Sequence, residues 1–215
     1  MTIGIGAFGR NAGAAVLAAW EEAERRASGD LHGFAVFTVL RAGGEPVSLD
    51  CQRGGLEAIR AGAEQLVQTA QATVAAVITS GPDRPEPLSQ FLAAGRAGLV
   101  TGHRLPNLAT VEGPSAGRAA LALLAQGLSA DEAVARVLRS NPDIDAGLIA
   151  VTPTDLGLAN SAHVEGRDDL GRALIMAEDR RYGFGLLHNS IAPVEGLAQA
   201  VAAVGEAVLA RAGDS

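Results

Sequence analysis

The chain has 215 residues, 48% hydrophobic but only 3% aromatic, with 27 glycines and a formal net charge of −7. That length suits one domain with a substantial core, expected here over residues 1–215, and an acidic balance with no basic run excludes the electrostatic footprint of a nucleic-acid binder. All 17 basic residues are Arg, and the absence of Lys removes an internal Schiff base, a phosphate loop of the G-K-[ST] type and a Ser–Lys dyad.

In chain order, Thr2 to Phe8 reads as a short strand. Gly9 to Gly13 forms a tight loop opening a helix over 14–26, with Val16, Leu17 and Trp20 on its apolar side. Gly33 to Leu40 is a clear strand, turned by Ala42-Gly43-Gly44-Glu45 into Val47 to Cys51 as a hairpin. The spacing of Leu56, Ile59, Ala63, Leu66 and Val67 predicts a helix over 56–70, and 73–79 returns as a strand. The run 80–87 carries too many prolines for regular structure and reads as an exposed connection in preference to a lid. Pro87 then opens a predicted helix over 88–94, a strand follows at 97–101, and 102–107 reads as a polar loop.

The stretch 113–160 organises the rest. Ser115 caps a helix to about Gln126, which Gly127 stops. Ser129 caps a second helix, and Glu132 completes its capping box. Asn141-Pro142 ends that helix. Ala146 to Val151 is apolar enough for a strand buried on both faces, and Thr152-Pro153-Thr154-Asp155 turns it into a strand at 156–159. Residues 161–172 read as a polar loop, 174–177 as too short to assign, 183–188 as a strand, and 194–211 as a long amphipathic helix whose apolar side could build a homo-oligomer. Hairpins with paired helices between them favour an α+β layered fold over a doubly wound sheet.

The run from Ala120, A-L-x-L-L-A-x-G-L-S-A-D-E-A-V, followed by Asn141-Pro142-Asp143, an apolar strand and Gly157, resembles a segment of the N-terminal-nucleophile (Ntn) hydrolase superfamily. The likeness is to the bacterial domain-of-unknown-function family 1028 and, more distantly, to the isoaspartyl peptidases. It implies a four-layer αββα sandwich of two stacked, mainly antiparallel sheets flanked by helices. It also implies a nucleophile at the head of a central strand. Fold alone does not imply activity.

Candidate chemistry follows from residue types. His32, His103, His163 and His188 are scattered, there is no H-E-x-x-H and Cys51 is alone, so no metal site and no cofactor are expected. Gly113-Pro114-Ser115-Ala116-Gly117 has the letters of a nucleophile elbow but no long strand before it, and capping already accounts for Ser115. Thr2 is the stronger candidate. Exposed by loss of Met1, it would carry its own α-amine, whose ordinary pKa near 8 suits the base that activates the hydroxyl.

Thr101 lacks the sequence context of an internal self-cleavage junction. It nevertheless heads a polar segment in which His103 titrates near neutrality and Arg104 could grip a substrate carboxylate, with Asn107 and Glu112 as further donors and acceptors. His188, Asn189 and Ser190 end a strand that could face a pocket, where Asn189 or Asn107 would stabilise an oxyanion.

The resulting expectation is an amidohydrolase acting on a small amide-containing molecule. The alternative is a non-catalytic ligand-binding or homo-oligomeric protein on the same fold. With no run of about 18–20 apolar residues and no signal-peptide pattern, neither a membrane nor export is expected and the compartment expected is the cytoplasm.

Overall fold

The computed structural model describes residues 1–62 and 69–213. Strand β1 (Thr2–Phe8) lies inside a six-stranded antiparallel sheet, and all seven of its residues are buried. The sheet runs in the order β3 (Pro46–Cys51), β2 (Phe34–Leu40), β4 (Val74–Ser80), β1, β10 (Gly183–Asn189), β9 (Leu170–Met176). A second antiparallel sheet is ordered β5 (Ala93–Gly95), β6 (Gly98–Arg104), β7 (Ala146–Val151), β8 (Leu156–Asn160). Helices among the described residues are α1 (Ala12–Arg26), α2 (Gly55–Arg60), α3 (Ala116–Ala125), α4 (Ala130–Ser140), α5 (Ala162–Glu165) and α6 (Leu197–Gly213). None is long and apolar enough to cross a membrane.

Strand alternation sorts the side chains into three apolar clusters. On β1, Ile3, Ile5 and Ala7 face α1 and α6, where they join Trp20, Phe37 and Leu186. From its other face Phe8 joins Phe34, Ile78, Leu99, Ile149 and Leu187 between the two sheets. A third cluster, including Val100, Leu148, Val134 and Leu138, lies between the smaller sheet and α3 with α4. Two glycines set how closely the sheets approach. A Cβ on Gly4 would fall inside the van der Waals radius of the Gly102 carbonyl oxygen on β6. Beside this contact the Thr101 hydroxyl donates to the Val77 carbonyl on β4, 2.9 Å away.

The caps follow the sequence. Ser115 Oγ accepts from Arg118 N at 3.4 Å, and Ser129 with Glu132 forms the full capping box. Differences fall where one apolar pattern suits two structures. Residues 88–94 are not a helix. A single 3₁₀ turn (Leu88–Phe91) buries Leu88 and Phe91, and the chain then extends so that Ala93 to Gly95 can pair with β6. The strand expected at 97–101 continues to Arg104, so His103 and Arg104 are strand residues and not part of a loop. Residues 161–172 hold α5 and the start of β9, an edge strand whose half-covered face carries too little apolar pattern to announce itself. The helix expected over 56–70 is seen as α2, and its portion at 63–68 lies outside the described residues.

Candidate functional site

The last rung of the larger sheet places four residues side by side. Thr2 pairs with Ser80 on one side and Asn189 on the other, and Ser80 pairs in turn with Phe34. Directly opposed residues in an antiparallel ladder share a face, and Gly4, Gly6 and Phe8 place that face toward the second sheet. The row Phe34–Ser80–Thr2–Asn189 therefore lines one end of the space between the sheets. Thr2 itself is 1% exposed.

At one end of the row, His103 joins the two sheets. Its Nδ1 lies 3.1 Å from Asn189 Oδ1, and its Nε2 lies 2.8 Å from Asn160 Oδ1. His103 and Asn160 sit on either side of Gly147 in the ladder, and a Cβ there would fill the space in which they meet. Burial holds the imidazole below its usual pKa against the opposing pull of Asn160 and Asn189.

A polar chain continues from Asn189. Its Nδ2 donates to Ser190 Oγ at 3.0 Å, Ser190 Oγ donates to Asp169 at 2.5 Å, and Arg167 grips both Asp169 oxygens at 2.8 and 2.5 Å. The Arg167 bonds, and after them that from Ser190, hold the Asp169 carboxyl at about 2.

At the other end, Arg84 lies over Phe34 and Phe91, 6.0 Å from each ring centroid. The loop that carries it is fastened at several points. Gln52 accepts from the Arg84 backbone N–H at 3.1 Å and donates to its carbonyl at 2.6 Å, and Arg53 pairs with Asp83 at 2.6 Å. The α-amine of Met1 is depressed by burial and then by the charges of Arg84 and Arg104. An amine at this end of β1 is thus biased toward its neutral, proton-accepting form.

The residues predicted for the site separate into groups. Thr2, Asn189 and Ser190 come together, and His103 supports them from within the fold. His103 is fully buried with both ring nitrogens engaged, and the Thr101 hydroxyl is spent on the Val77 carbonyl. Arg104 closes a two-bond fork on Asp145, with Nη2 2.7 Å from Oδ2, so the fork expected to hold a substrate carboxylate is already filled. Asn107 donates to Gln90 at 2.9 Å and leaves its Oδ1 buried without a partner. Glu112 is exposed on a different groove, beside Thr110 and Arg136. His188 pairs with Ile3 and so projects from the opposite, helix-covered face, fully buried with both ring nitrogens unpaired.

Sequence reading missed Arg84, Ser80 and Asn160. The Pro-rich setting of Arg84 was the one signal, and it reads as a connection before it reads as a lid over a site. Among the described residues no group of His, Cys, Asp or Glu could hold a metal ion. Surface grooves include one of about 580 Å³ lined by Arg96, Arg118 and Leu121, and another lined by Asn160 with Arg139 and Pro142; neither takes in Thr2, Ser80 or Arg84.

The chain belongs to a family defined by a domain of unknown function, DUF6963, whose model matches residues 2–215. That family, and not family 1028, is the one the comparison shows. No curated protein matches the chain.

Proposed function

We propose that the chain is an amide-bond hydrolase of the N-terminal-nucleophile kind, built as a four-layer αββα sandwich, with Thr2 as its nucleophile. The observation that carries this reading is the position of Thr2: first residue of an interior strand of the larger sheet, on the face between the sheets, with Ser80 and Asn189 beside it. The layering of helices, two sheets and helices around three apolar clusters supports the sandwich.

In the proposed reaction, removal of what precedes Thr2 frees its α-amine. The amine takes the hydroxyl proton as Oγ1 attacks the substrate carbonyl carbon, and the resulting oxyanion accepts a hydrogen bond from Asn189 Nδ2, which has a second N–H beyond the one given to Ser190. Collapse of the tetrahedral species breaks the C–N bond, the leaving amine takes the proton, and water then hydrolyses the Thr2 ester by the same route. At this end of β1 the Met1 α-amine is depressed by burial and then by Arg84 and Arg104, and the same surroundings would favour the neutral form of an α-amine on Thr2. Two of the four non-glycine residues with positive φ among the described residues flank the row, Arg104 at 64° and Ser190 at 54°. Such backbone is retained where surrounding structure over-determines it, often at sites of function.

The test is an amide-substrate screen on protein whose N-terminus is Thr2, run beside Thr2→Ala. Activity that depends on the hydroxyl supports the mechanism, and equal activity in Thr2→Ala removes it. The alternative, a ligand-binding protein using the same row, is favoured by the burial of Thr2 behind Met1. It predicts binding that is indifferent to Thr2→Ala.

A further inference from the structure

Among the described residues Arg84 is a cation without a counter-charge. Among the described residues it forms no ion pair, and its Nε is buried with no hydrogen-bond acceptor. The acids of its own loop are committed elsewhere, Asp83 to Arg53 and Glu86 to the Leu88 backbone N–H. The neighbouring cations Arg104 and Arg167 each have a carboxylate, Asp145 and Asp169. Burying an unpaired donor of a charged group is costly, yet the fold fastens this one in place with two bonds between Gln52 and its backbone and with the Phe34 and Phe91 ring centroids each 6.0 Å from its Cζ. A second unpaired buried atom, Asn107 Oδ1, lies on a residue held by Gln90, next in sequence to Phe91.

We propose that Arg84 is the anion subsite of this protein and receives the carboxylate of a small monocarboxylic ligand through its Nε–H and one Nη–H. One uncompensated positive charge matches one negative charge, and a planar guanidinium matches a planar carboxylate with two parallel hydrogen bonds. The other positive group at this end of the row, the Met1 α-amine, is biased toward its neutral form by burial and then by the charges of Arg84 and Arg104, so one negative charge is the better match. Phe34, over which Arg84 lies, is two strands from Thr2, about 10 Å along the sheet. Placing that carboxylate on the substrate cleaved at Thr2 rests on the function proposed above, and makes the substrate an amide that carries a carboxylate a few bonds from the scissile carbonyl. The anion subsite itself stands without it.

The test is a titration of the full chain, with Met1 retained, followed by the Arg Nε–H resonances of ¹⁵N-labelled protein. The probes are N-acetylglycinate, its uncharged amide N-acetylglycinamide, and inorganic phosphate. The expected result is a saturable shift of one Nε–H signal with N-acetylglycinate and none with the amide. Arg84→Gln should remove that signal and weaken binding, read from backbone amide shifts around Phe34, by at least about tenfold. Where Arg84→Gln does not fold, Arg84→Lys keeps the charge but loses the fork and should lose the same signal and most of the affinity. No saturable shift, equal response to the uncharged amide, tighter binding of phosphate, or unchanged affinity in the variants would each overturn the proposal. Because the titration needs neither processing nor turnover, a carboxylate that binds to an inactive protein leaves Arg84 standing while Thr2 falls, and the reverse result separates them in the other direction.

Discussion

His188 gives a quantitative handle on the fold. It is fully buried on the helix-covered face of β10, its ring lies against the space left by Gly171, and neither nitrogen has a partner among the described residues. Burial, and after it the charge of His103, pushes its pKa from the ordinary 6.5 down to about 4. The folded state therefore resists a proton that the unfolded chain accepts, so stability falls as pH drops below 6.5 and stops falling below about 4. At 1.36 kcal/mol per unit, this one group removes about 2 kcal/mol by pH 5 and about 3 kcal/mol by pH 4. His188→Leu replaces the ring with an apolar side chain of similar volume and removes two unpaired polar atoms, so at pH 7 stability should be unchanged or raised, within about 1.5 kcal/mol. Urea unfolding of both proteins at pH 7, 5.5 and 4.5 reads the difference. The wild type should lose stability relative to the variant as pH falls, and parallel loss in the two would refute the assignment of this acid sensitivity to His188.

Gly147→Ala puts a methyl group where His103 meets Asn160 and should cost about 3 kcal/mol or more, measured by the same unfolding assay; a cost below about 1 kcal/mol would mean that His103 and Asn160 do not meet over Gly147. For Arg104 and Asp145, a double-mutant cycle with Arg104→Ala and Asp145→Ala should return a coupling of about 1–2 kcal/mol. Because Arg104 holds the Asp145 carboxyl below its ordinary value, that coupling is present above the usual carboxylate range and disappears as pH falls through the depressed pKa. Ser129→Ala removes the α4 capping box and should cost about 1 kcal/mol, read from thermal unfolding, with Ser115→Ala as a weaker companion since its bond is 3.4 Å long.

Local chemistry was legible where it decides structure by itself. Thr2 to Phe8, Ala146 to Val151 and the two helices capped by Ser115 and Ser129 could be placed from alternation, apolar runs, cap residues and, for the second helix, S-x-x-E spacing. What the sequence could not display was pairing. That Ser80 and Asn189 flank Thr2 follows from the register of three strands distant in the chain, and Asn160 reaches His103 only because Gly147 lies between them in the ladder. The same limit governs the candidate residues. Arg104 and Arg84 look alike in sequence, one beside a His and one among prolines. The fold brings Asp145 to the first and, among the described residues, pairs no acid with the second. His188 and Asn189 are adjacent in the chain, and strand alternation sends them to opposite faces of the sheet.

The proposed mechanism requires that Thr2 become the first residue of the working protein. Intact mass of the protein purified from its native host decides this directly. The expected result is a chain that begins at Thr2, with an amidase activity that Thr2→Ala abolishes. Protein that keeps Met1 in full would contradict the mechanism.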